Sequence, residues 1–166
     1  NKKHNYAVIE MGANHLGEIE WLSKISSPNI AVITQCAPAH LEGFKNVESI
    51  AKAKAEIFSG LQTSGTAIIN ADDIYFDFWK NSCKEINKLT FGIKTKNADV
   101  RAENIKLSMD DLLINFTLIS THGSVEICLP MLGEHNVMNA LAATSCCLSL
   151  DISLQSIKDG LENIKS

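Results

Sequence analysis

The chain has 166 residues, 45% of them hydrophobic and 20% charged, with a formal net charge of -4. That is the length of one domain with enough apolar content to bury a single core. The acidic balance and the lack of any basic run argue against a nucleic-acid partner, since phosphate neutralisation needs clustered Lys and Arg. No apolar stretch approaches the ~18 residues of a membrane span. The 5 cysteines (Cys36, Cys83, Cys128, Cys146 and Cys147) are odd in number and form no C-x-x-C. They read as small thiols of a reducing cytosol rather than zinc ligands or a disulfide framework, which makes a cytoplasmic location the expectation.

The opening residues, NKKHNYAVIE, lack the shape of a secretory signal and enter an apolar run almost at once. Such a start is expected of a piece cut from a longer chain. Short β-branched runs at 6–10 (YAVIE), 29–34 (NIAVIT), 66–70 (TAIIN) and 88–92 (KLTFG) predict strands. Helical patterns lie between them, near 18–26, 47–60 and 73–84. Alternating strands and helices with continuous apolar strands predict an α/β fold, a mostly parallel sheet flanked by helices. From 98 to 129 three consecutive strand patterns predict a small antiparallel β insert, the last two strands joined at THGS. Two helices, about 134–149 and 153–163, close the chain.

The stretch YAVIEMGANHLGEIEWL (6–22) has the layout of a phosphate loop, with Gly12 and Gly17 at the spacing of G-x-x-x-x-G-K-[ST]. Glu18 and Ile19 stand where Lys and Ser/Thr belong, and Glu18 would repel phosphate. In an open parallel sheet, ligands bind beyond the carboxyl ends of the strands. Three strands carry polar residues there: Glu10, Gln35 after Thr34, and Asn70. Glu10 at the end of an apolar run is either a structural ion pair or a cation ligand. His40, a few residues past the second strand, is either a loop cap or a ligand. Lys54 falls in the middle of the apolar face formed by Val47, Ile50, Ala51, Ile57 and Phe58. It either snorkels past the rim or is a desolvated, reactive amine. In GEHNVMNALAA, Asn136 and Asn139 share a helix face. Asn136 suits a helix start, whereas Asn139 lies inside the helix, where an amide wants a partner; the pair suits either caps and packing or the edge of a purine.

These segments carry a resemblance. EMGANHLGEI, APAHLEGF, IAKAKAEIF, NADD and GEHNVMNALAA, in this order and spacing, resemble the central ATP-binding domain of the Mur ligases, which build the peptide stem of bacterial peptidoglycan. The match runs from about Tyr6 to Ser166. MGANHLGEI with AHLEGF is similar to the member that adds D-alanyl-D-alanine to UDP-N-acetylmuramoyl-tripeptide. The resemblance implies ATP-driven amide formation through an acyl phosphate, in a cytoplasmic, monomeric enzyme. It implies Glu10 and His40 as ligands of two magnesium ions, and Lys54 as a lysine carbamylated by carbon dioxide that joins the metal site. Lys54 and His40 are thereby the catalytic residues, and His135, Asn136, Asn139 and Asn70 the ATP contacts. It also implies that residues 1–166 are a single central domain, truncated before the phosphate-binding loop and without the amino- and carboxy-terminal domains. Such a piece should not catalyse ligation alone. Gln35 and Lys45 depart from the family's Asn and Gly beside His40. Another Mur-type or folylpolyglutamate-type ligase, or a non-catalytic binding module, are the alternatives.

Overall fold

The computed structural model describes residues 3–37, 44, 46–110 and 112–164. Six strands form one sheet in chain order: β1 Ile30–Ile33, β2 Thr66–Asn70, β3 Asn87–Gly92, β4 Val100–Ser108, β5 Leu113–Ser120 and β6 Gly123–Leu129. β1 to β4 run parallel, and β4, β5 and β6 are antiparallel. The antiparallel strands expected over 98–129 form, and they continue the parallel sheet. Only two residue pairs, Phe91 with Val100 and Gly92 with Arg101, join β3 to β4. β4 begins where β3 ends, so no long crossover is needed to bring the two side by side. Asp99 locks this junction, accepting the backbone N–H and the hydroxyl of Thr90 at 2.8 and 2.7 Å.

The helices are α1 Glu18–Ser26, α2 Val47–Ala55, α3 Phe76–Ser82, α4 Glu134–Leu148 and α5 Leu154–Glu162. α2 passes directly into a tight 3-10 turn, Glu56–Gly60. Asn46 starts α2 by accepting the N–H of Ser49 at 2.8 Å, and Ser153 does the same for α5. Both faces of β2 are buried. Ile68 joins Phe91, Phe116, Val137 and Leu141 beneath α4 and α5. Ala67 and Ile69 join Ala51, Phe58 and Trp79 beneath α2 and α3. This is why the parallel strands read as continuous apolar runs rather than alternating ones. Trp79 is fully buried, and its indole N–H donates to the Ala51 carbonyl at 3.0 Å, so one side chain fixes α3 to α2.

α1 lies along the 3-10 turn at very close range. Ser23 is buried and donates to the Ile57 carbonyl at 2.5 Å. A Cβ on Gly60 would fall on the Ser23 backbone, so a glycine is required at that contact.

The strand predicted at 6–10 does not form. Tyr6, Val8 and Ile9 are 64%, 100% and 59% exposed. A strand exists only through its ladder, and β1, the edge strand on that side, pairs with β2 alone among the described strands. Composition signalled the strand but could not supply its partner.

Candidate functional site

The carboxyl edge of the parallel strands is organised by the segment NADD (70–73) that follows β2. Asn70 is only 6% exposed. Its amide nitrogen donates to the Thr34 carbonyl at 2.8 Å, and its oxygen accepts the N–H of Asp72 at 2.9 Å. Asp73 accepts the N–H of Cys36 at 2.7 Å and that of Tyr75 at 2.9 Å. The exit from β1 is therefore held at two points by side chains from the exit of β2. Asp72 turns the other way and accepts the N–H groups of Ile93, Lys94 and Thr95 at 2.6, 2.9 and 2.8 Å. Burial pushes its carboxyl up, but the Lys94 N–H, the Thr95 hydroxyl and the Ile93 and Thr95 N–H groups together outweigh burial and hold it below the usual carboxylate value.

Lys54 comes to this edge half-buried, on the last turn of α2. Its charge and the Asp73 carboxylate both reach the Cys36 thiol. Burial and then the Asp73 carboxylate push the Cys36 thiol up, and the Lys54 charge partly offsets them. Phe44, Ile50 and Ala53 close the apolar side, with Cys36 and Ala13 packed against them.

The glycine loop before α1 is built unlike a phosphate loop. Gly17, at φ 90, starts the helix with no side-chain cap of its own. Its N–H points at both oxygens of Glu56, at 2.8 and 2.9 Å, and the Glu20 N–H reaches the same carboxylate at 3.3 Å. Glu18 folds back to accept the N–H groups of Asn14 and His15 at 2.8 and 3.2 Å, and pairs with the His15 ring at 3.0 Å. The backbone donors that a phosphate would use are filled by the protein's own carboxylates.

On α4, His135, Asn136 and Asn139 occupy the first turns. Asn136 gives its amide N–H to the Leu132 carbonyl at 2.7 Å, shaping the entry to the helix. The His135 ring lies against Gly133, where a Cβ would collide with it. Asn139 is exposed, as is Ala143 one turn on, while Val137, Ala140 and Leu141 face the sheet.

The structure brings Lys54 to the edge where Asn70 lies. Asn70 is engaged there with backbone on both sides of its amide, in the role of a clamp. Glu10 is exposed in an unpaired segment, so the cost of burial that marked it out does not arise. His40 lies outside the described residues. Among the described residues no three His, Cys, Asp or Glu side chains lie close enough to hold a metal ion. The donors in view, a thiol and an amine beside one carboxylate, do not make a magnesium site, which wants oxygen ligands. Sequence reasoning missed Asp72, Asp73 and Glu56. A pair of acids just past a buried strand was the available signal.

A family model for the Mur ligase middle domain matches residues 1–147. The chain is 46% identical over 162 residues to the UDP-N-acetylmuramoyl-tripeptide--D-alanyl-D-alanine ligase of Haemophilus influenzae, covering 97% of this chain and 34% of that protein. To the ligase of the same name from Escherichia coli K12 it is 42% identical over 164 residues, covering 99% of this chain and 36% of that protein. It is also similar to a crystal structure of MurF from Acinetobacter baumannii, with a TM-score of 0.94 and 38% identity over 100% of this chain and 36% of that one. A MurF ligase from Thermotoga maritima in complex with ADP, TM-score 0.79 and 22% identical, shares the fold. The chain spans about a third of the length of these curated relatives. It belongs to the Mur ligase family, as a middle domain.

Proposed function

We propose that this chain is the ATP-binding central domain of a longer, cytoplasmic ligase that adds D-alanyl-D-alanine to UDP-N-acetylmuramoyl-tripeptide. The observation that carries the reading is Lys54, half-buried on the last turn of α2 and close enough for its charge to act on Cys36, which packs against the Phe44 cluster. The names of relatives at 42% and 46% identity supply the substrates. The tripeptide's carboxylate oxygen attacks the γ-phosphorus of ATP, giving an acyl phosphate and ADP. The dipeptide amine adds to the acyl carbon, loses a proton, and the tetrahedral intermediate expels phosphate.

In this reading Lys54, as a neutral amine, adds to carbon dioxide and loses a proton to solvent, and the carbamate presents oxygen donors in place of a cation. With the carbamate giving the oxygens that the unmodified amine lacks, Glu10 and His40 are the further residues that would hold magnesium, and the ion would supply charge stabilisation for phosphoryl transfer. His135, Asn136 and Asn139 face the adenine, and Asn70 holds the edge on which the nucleotide rests. The glycine loop, its backbone donors filled, belongs to the peptide substrate rather than to phosphate.

The test is ligation by the complete protein. ATP, the UDP-linked tripeptide and D-alanyl-D-alanine should give the pentapeptide product by mass, with ADP and phosphate in equal amounts. ADP release that does not depend on the dipeptide, or depends on a diamino acid or glutamate instead, would overturn the assignment.

A further inference from the structure

Glu56 is placed to do more than cap a helix. Its backbone N–H closes α2 by donating to the carbonyls of Ala53 and Lys54. Its carboxylate takes the Gly17 N–H through both oxygens, across 39 positions of sequence. One residue therefore touches the main chain of the candidate reactive lysine and the main chain of the glycine loop. A Ser, Asp or Asn at position 17 would start α1 locally. Instead the chain has a glycine at φ 90 there and a cap from another element. The consequence is mechanical: the loop cannot shift relative to the Lys54 helix without breaking a charge-assisted contact.

The loop presents its Asn14 and Leu16 side chains outward. Leu16 is 58% exposed and Asn14 is exposed, while Glu18 accepts the Asn14 and His15 N–H groups. An amide beside a leucine suits a peptide, not a phosphate.

We propose that Glu56 is a positioning residue for the ligation: it holds the Gly12–Gly17 loop at one distance from Lys54, so that the UDP-linked peptide meets the lysine in register. This rests on the reading given under Proposed function. Glu56→Gln removes the charge and turns one acceptor into a donor facing the Gly17 N–H.

In the complete protein, Glu56→Gln should raise KM for the UDP-linked tripeptide about ten-fold or more. KM for ATP should stay within about two-fold, because α4 is untouched. Glu56→Asp, which keeps both oxygens one methylene shorter, should fall between. Ser23→Ala, which loosens the same α1 contact without touching the loop, is the structural control. An unchanged peptide KM in Glu56→Gln would overturn the inference. So would an equal rise in Ser23→Ala at matched melting temperature, since the effect would then be mere loosening. Wild type and Lys54→Ala run alongside. If wild type ligates and Lys54→Ala does not, only the Glu56 role is at stake. If wild type does not ligate, the reading beneath it falls and takes this inference with it.

Discussion

The Asp72 carboxylate lies across the end of β3 at Gly92, where a Cβ would stand 2.8 Å from Oδ1. The carboxylate cannot easily retreat, because Ile93, Lys94 and Thr95 all donate to it. Gly92→Ala should therefore destabilise the domain by about 1–3 kcal/mol, the usual cost of overpacking a fixed contact. Urea unfolding of the isolated chain checks it. An unchanged midpoint would show that the carboxylate moves aside freely.

The same carboxylate makes a pH prediction. Its folded-state pKa is lowered, against the push of burial, by the donated N–H groups. A lowered folded pKa gives stability that is complete above the unfolded value, about 4, and is lost as pH falls through the folded one. Asp72→Asn should cost roughly 1–3 kcal/mol at neutral pH, since three donors lose a charged acceptor. The gap between variant and wild type should close below about pH 4. A constant gap from pH 7 to pH 3 would mean that the charge is not what stabilises.

Much of this arrangement was legible beforehand, for reasons that particular residues make plain. Lys54 stands out in the sequence because a cation in an apolar helical face breaks a periodic pattern, and periodicity survives in one dimension. α1 and α5 fall where their patterns predict. α2 stops at Ala55 rather than running to 60, because the chain tightens there to meet α1 at Gly60. The run YAVIE misled because strand composition does not name a partner strand. The roles of Asp73 and Glu56 were missed for a related reason. Their partners are backbone N–H groups 37 and 39 positions away, and a backbone donor leaves no mark in residue identity.

Lys54 carries the chemical claim. In the complete protein, Lys54→Ala should reduce ligation at least about a thousand-fold, the range seen when a group stabilising transition-state charge is removed. Short exogenous carboxylates should restore part of it by occupying the space of the lost carbamate. Mass spectrometry at raised bicarbonate should show one added carbon dioxide on wild type and none on the variant. Activity near wild type in Lys54→Ala would remove the lysine from the mechanism.

The isolated chain tests where the phosphates bind. No G-x-x-x-x-G-K-[ST] occurs in its sequence, and the Gly12–Gly17 loop has its donors filled by Glu18 and Glu56. Calorimetry should therefore find ATP binding no tighter than about millimolar, worth only about 4 kcal/mol. Micromolar binding would place a phosphate site within these residues.

Asn139 separates nucleotide binding from packing. It is exposed on α4 while its neighbours Val137, Ala140 and Leu141 face the sheet. A change there should leave folding within about 0.5 kcal/mol, as for most surface positions. Leucine is also the better helix former, so Asn139→Leu gives the helix no reason to weaken. If the amide reads the adenine edge, the variant in the complete protein should lose about ten-fold in ATP affinity. KM for the UDP-linked tripeptide and for D-alanyl-D-alanine should hold. GTP, whose purine edge reverses donor and acceptor, should bind wild type poorly and the variant no worse. An ATP affinity equal to wild type would assign Asn139 to the surface alone. A fall in melting temperature with unchanged nucleotide affinity would assign it to the helix.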